Sequence, residues 1–252
     1  MSTIPASPSG TDSSLPPDIA RVLDDFARTA REALGETLEA IVLFGSAADG
    51  TLAPTSDVNV ILVLRRFDRE RVDRLRDALR VAQAAIRLAA MFLLREEIPA
   101  AATAFAQKFA DIARRRRLLH GPDPFADLVV PRGALVTRLD QVLLNLALRL
   151  RAAYVERSLR PEQLGAALSE AAGPLATSAA SLTELEGRRS ATPAAALRAI
   201  GAELCGARWD EIATALAQAR RRAVLAPGVA GTTVLELVEL VTAMRRRLAA
   251  LR

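Results

Sequence analysis

The sequence predicts an α/β domain in the first half of the chain and a helical bundle in the second. Three observations predict it. Short apolar runs of strand length alternate with amphipathic stretches through roughly the first 124 residues. From Pro131 onward only helical periodicity is present. At 252 residues the chain suits one large or two small domains, long enough to bury a core without disulfides or metals.

Residues 1–16 are rich in Ser, Pro, Thr and Gly and lack the basic start and apolar core of a signal peptide, so a disordered tail is expected. In 17–35, Ile19, Val22, Leu23, Phe26 and Ala30 recur at helical spacing, with Pro17-Asp18 as a start and Gly35 as a stop. Residues 38–44 then read as a buried strand ending at Gly45-Ser46. A loop over 47–56 carries the turn formers Gly50, Pro54 and Ser56, and 58–64 form a second strand closed by Arg65-Arg66. Val72, Leu75, Leu79, Ala82 and Ile86 line one stripe of a helix over 68–87. Residues 88–94 suit a third strand, and 96–117 read as helix, broken near Pro99, with 105–112 readable as a strand instead. Gly121-Pro122-Asp123-Pro124 ends this unit.

Five helices follow, over 133–157, 161–185, 193–205, 209–222 and 232–251, the second expected to split at Gly173-Pro174. Pro161, Pro193 and Pro227 punctuate them at positions where proline starts or follows a helix. Val224-Leu225 is too short to count as a strand.

Composition excludes several classes of function. Cys205 is the only cysteine, which removes a disulfide framework or thiolate cluster, and it reads as a small core hydrophobe. His120 is the only histidine and reads as a loop residue beside Gly121, so a histidine zinc site or a Ser–His–Asp triad would rest on it alone. No run reaches about 18 apolar residues, since Gln83 and Arg87 interrupt the longest candidate at 81–94; no membrane is expected, and the cytoplasm is the expected compartment. The net charge of +5 rests on arginine, with Lys108 the only lysine. The clusters at 114–117, 220–222 and 245–247 lie on or beside helical segments and lack interleaved aromatics. They read as solvated faces before a nucleic-acid surface.

The informative stretch is 41–64, Ile-Val-Leu-Phe-Gly-Ser followed, after ten residues, by Asp-Val-Asn-Val. Glycine lets the backbone approach a phosphate, serine adds a hydroxyl, and a helix beginning there would aim amide N–H groups at the anion. Residues two apart on a strand share a side, so Asp57 and Asn59 project together, towards the phosphate held by the turn. Two carboxylates so placed can hold Mg²⁺ ions that clamp the attacking and leaving oxygens.

This pattern resembles the signature of the nucleotidyltransferase superfamily, which includes DNA polymerase beta and the aminoglycoside nucleotidyltransferases. Gly45 and Ser46 match its phosphate-binding pair, and Asp57 its first metal-binding carboxylate. The resemblance implies a small mixed-sheet nucleotidyltransferase domain over 17–128 and an all-α helical bundle over 129–252, laid out like the aminoglycoside adenylyltransferases. It implies Mg²⁺ as cofactor on Asp57 and Asn59, an NTP (ATP first) as substrate, and a hydroxyl acceptor between the domains.

Two positions depart from the signature. Asn59 stands where the family carries a second carboxylate, and an amide brings no charge to a hard cation. The family's third carboxylate is missing from 88–94; Glu96 and Glu97 follow that run, and Asp111 qualifies only if 105–112 is a strand. Glu96, Glu97, Asp140 and Glu170 are the available general bases. Two functions therefore stand side by side: nucleotidyl transfer at reduced rate, or an inactive relative that binds a nucleotide or a protein partner. A nucleic-acid-directed transferase is a third, supported only by the arginine clusters.

Overall fold

Strand β1 is Leu38–Phe44 and strand β2 is Val58–Leu64, both buried at nearly every position. Alternate residues of each enter opposite cores. Ile41, Leu43, Val58, Val60, Leu62 and Leu64 enter one, while Ala40, Val42, Phe44, Ile61 and Val63 enter the other. A strand covered on both faces has no polar side to present, which is why these runs are apolar except at the half-buried Glu39 and Asn59.

The computed structural model describes residues 15–52, 56–221 and 225–251, and the chain divides into two compact units between Val130 and Pro131. The expected tail lies outside the described residues up to 14; Leu15, assigned to that tail, is buried in the first core. Part of the 47–56 loop and residues 222–224 also lie outside them.

The sheet order is β3-β2-β1-β4. Strand β3, Leu88–Leu94, runs parallel to β2, and β1 is antiparallel to both β2 and β4, so the sheet is mixed. Helix α1, Pro17–Leu34, covers the first core with α3, Arg76–Ile86. A short α2, Arg69–Asp73, precedes α3, so the single helix expected over 68–87 is two. Asp68 caps α2 by accepting the Arg71 N–H, and the chain turns at Arg74-Leu75 before restarting. Helices α4, Ile98–Ala104, and α5, Ala106–Arg114, lie over the other core.

The fourth strand is not at 105–112, which is helical, but at Arg116–His120, β4. His120 is thus the last residue of a strand opposite Ile41, not a loop residue. Gly121 follows with φ 76, where a Cβ would lie 2.0 Å from the Glu39 carbonyl oxygen. Only glycine lets the two backbones approach this closely.

The second unit holds α6, Arg132–Arg157; α7, Pro161–Leu185; α8, Pro193–Cys205; α9, Trp209–Arg220; and α10, Val229–Ala249. The expected break at Gly173-Pro174 does not occur. Proline opposes a helix through its missing N–H, its ring's clash with the carbonyl four residues back, and the Cβ of its predecessor; Gly173 removes the last of these. Burial of Leu168, Ala171, Ala172, Leu175, Ala179 and Leu182 along α7 offsets the lost bond. Among the described residues no helix is long and apolar enough to cross a membrane.

Candidate functional site

The register joins the two halves of the motif. Phe44, last in β1, stands opposite Asn59, so the 3₁₀ turn Gly45–Ala47 leaves the sheet beside that amide. Gly45 has φ 76, and a Cβ there would lie 3.9 Å from Asn59 Nδ2. Its N–H donates to the Arg115 carbonyl at 3.2 Å, anchoring the turn to the chain entering β4. This amide is therefore spent on the fold, and the described residues from 45 to 52 start no α-helix. The helix-end contribution expected from the sequence is absent; the half-buried Ser46 supplies the hydroxyl.

Asp57 lies one residue before β2 and is half exposed. The Asn59 amide donates to the Asp57 carbonyl at 3.2 Å, which ties the pair together. The Asp57 carboxylate has another partner: Arg87 Nε donates to Oδ1 at 2.9 Å. Arg87 closes α3 in the left-handed region, φ 53 and ψ 41, and its carbonyl accepts the Val58 N–H at 3.3 Å. Nothing in the motif spacing announces this arginine. Its only signal is its place at a helix-to-strand junction.

The parallel register sets Ala89 beside Asn59. Residues 89, 91 and 93 share the face of 59, 61 and 63, since Leu93, Ile61 and Val63 enter the same core. The neighbouring strand thus presents an exposed alanine beside Asn59. Glu96 and Glu97 follow Leu94, about 17 Å of strand away from Ala89 at ~3.3 Å per residue. They sit at the opposite end of the sheet, where Glu97 accepts the Leu94 N–H at 2.9 Å. Asp140 pairs with Arg245 at 2.9 Å, and Glu170 with Arg149 at 3.4 Å, both in the second unit.

Asp111 is helical and buried, and its carboxylate is held by Arg115 through Nε–Oδ1 and Nη2–Oδ2 contacts of 2.8 Å each. Arg115 Nη1 also reaches Asp49 Oδ2 at 3.0 Å, just beyond the glycine turn. Burial opposes the Arg115 charge, but its hydrogen bonds to Asp111 and then Asp49 prevail and raise the guanidinium above its ordinary range. Sequence reasoning missed this bridge because Asp49 and Arg115 lie 66 positions apart.

In two of the three arginine clusters, arginines are tied to carboxylates. Arg115 and Arg116 are tied to Asp111, Asp49 and Asp123, while Arg245 and Arg247 are tied to Asp140, Glu186 and Glu203. Arg222 lies outside the described residues.

A metal has little to hold here. Among the described residues no group of three or more His, Cys, Asp or Glu side chains could hold an ion. Asp57 and Asn59 offer one carboxylate and one amide, and the carboxylate already carries Arg87. This donor set does not fit the two-ion arrangement of phosphoryl-type transfer.

The Gly-Ser turn leaves β1 between antiparallel strands, with the Asp-x-Asn pair at the start of β2 beside it, as the motif predicts. The comparisons agree. Residues 24–109 match the family described as nucleotidyltransferase domain, and the first unit belongs to the nucleotidyltransferase superfamily. A protein of Methanocaldococcus jannaschii assigned provisionally to the protein adenylyltransferases is 37% identical over 53 residues, 21% of this chain. The match spans about a third, 36%, of that relative's length. The spectinomycin adenyltransferase of Enterococcus faecialis, solved with ATP and spectinomycin, shares the fold with a TM-score of 0.62. That similarity covers 88% of this chain and 99% of the other at 11% identity.

Proposed function

We propose that the protein binds a nucleoside triphosphate, ATP first, at Gly45-Ser46 and transfers its nucleoside monophosphate to a hydroxyl acceptor at a low rate. The observation that carries this reading is the left-handed Gly45 turn set against Asn59, with Asp57 at the mouth of β2. Gly45 clears space for a phosphate, Ser46 offers a hydroxyl to it, and Asp57 fixes the charge beside it. The adenyltransferase relatives support the reaction class. The low rate follows from the donor set: each ~1.4 kcal/mol of lost barrier stabilisation is about tenfold in rate, and the ions of such sites supply several.

A second reading, nucleotide binding without transfer, is favoured by the Arg87 guanidinium on Asp57 and by Ala89 beside Asn59. One pair of measurements separates the two. Calorimetric titration with ATP, GTP, CTP and UTP, against an Asp57→Ala control, reads binding. Pyrophosphate release with a panel of hydroxyl acceptors reads transfer. Release that vanishes in Asp57→Ala supports the enzyme; binding without release for any acceptor leaves the second reading; no binding of any nucleotide removes both.

A further inference from the structure

The site carries a cation of its own. Arg87 is the only non-glycine residue with positive φ among the described residues, a conformation that ordinary side chains adopt at a cost. Its backbone is fixed on both sides: its N–H donates to Gln83 O at 3.0 Å and its carbonyl accepts from Val58. The guanidinium is thereby held at the mouth of β2, next to Asp57 and Asn59.

Only Nε is engaged by Asp57, and the side chain is 56% exposed. The left-handed backbone is the cap that ends α3, and an exposed ion pair of this kind contributes little to stability, so what the pair offers is its position in the site. A metal ion on Asp57 would meet a like charge at hydrogen-bond range from the same carboxylate. Asn59 and Ala89, the two positions beside it in register, bring no negative charge that would call for an ion. The cluster of Asp57 and Arg87 is neutral, and the two Nη groups form the planar fork that suits phosphate oxygens.

We propose that Arg87 takes the place of the metal: its Nε neutralises Asp57 while its Nη groups bind the triphosphate, so that nucleotide binding at Gly45-Ser46 does not require Mg²⁺. This rests on the reading of Gly45-Ser46 as a triphosphate site.

The test is calorimetric titration of the full chain with ATP, once in EDTA and once in excess Mg²⁺. Arg87→Gly is the informative variant, because glycine is at home at φ 53 and only the guanidinium is lost. Arg87→Gln, which keeps most of the side chain, is the second variant, and thermal melting checks that both fold. The wild type is expected to bind ATP in EDTA, and both variants to bind there about ten- to a hundredfold more weakly, the loss of a charge-assisted hydrogen bond. Binding by the wild type only in Mg²⁺, or undiminished binding by Arg87→Gly in EDTA, overturns the role of Arg87 and leaves the triphosphate site standing. No ATP binding in either buffer overturns both.

Discussion

Arg115 grips Asp111 with two parallel hydrogen bonds of 2.8 Å while its carbonyl takes the Gly45 N–H, so one residue ties α5 to the glycine turn. Its remaining nitrogen holds Asp49, on the far side of that turn. The residue thereby holds the turn from both sides.

Arg115→Met is therefore expected to destabilise the first unit by about 3 kcal/mol, because it strips the buried Asp111 carboxylate of its two short hydrogen bonds and leaves it the longer Arg114 contact at 3.5 Å. Urea unfolding followed by far-UV circular dichroism measures this. Trp209, the only tryptophan, lies in the second unit, so its fluorescence reports that unit separately. A dichroism midpoint unchanged from wild type would remove Arg115 from the support of the turn.

Asp123 predicts an acid dependence. Burial pushes its carboxyl up, but hydrogen bonds from Arg116 and the Phe125 N–H, with the Arg116 charge, hold it below the ordinary 3.8. A carboxyl depressed in the folded state contributes stability that is present above 3.8 and lost as pH falls through the lower folded value. Asp123→Asn should be less stable than wild type at neutral pH, with the difference closing below pH 3.8. A constant difference across that range, read by chemical unfolding at each pH, would contradict the pairing.

Part of this architecture is legible because the relevant signals are local. The largely apolar runs at 38–44, 58–64 and 88–94 give strands at those bounds, the first two interrupted by a single polar residue each, Glu39 and Asn59. β4 is hidden for the opposite reason. Its sequence, Arg-Arg-Leu-Leu-His, reads as a charged helix end because the Arg116 charge is neutralised by Asp123, which the spacing of apolar residues cannot reveal. The Gly-Ser and Asp-x-Asn pieces of the site are legible as a motif, whereas Arg87 and Ala89 enter it only through the parallel β2–β3 register.

Ser181 in α7 is fully buried, and its hydroxyl has no partner among the described residues. A buried hydroxyl left unpaired costs free energy that alanine does not, and alanine is also the better helix former. Ser181→Ala should stabilise the second unit by about 1 kcal/mol. Trp209 fluorescence in urea reads the change; a destabilised variant would mean that the hydroxyl has a partner outside the described residues.

Gly45 and Gly187 have nearly the same backbone, φ 76 and φ 74, but different surroundings. Nothing lies within 4 Å of a Cβ built on Gly187, while one on Gly45 points at Asn59. Alanine should therefore impose a similar cost of about 1 kcal/mol at either position, since an L side chain is strained in the left-handed region. Only Gly45→Ala adds a methyl where a phosphate would approach the turn. The expected outcome is a comparable loss of stability in both variants, with ATP affinity falling about tenfold or more in Gly45→Ala alone, equivalent to ~1.4 kcal/mol. Equal ATP affinity in the two variants would show that the glycine serves the turn and not the ligand.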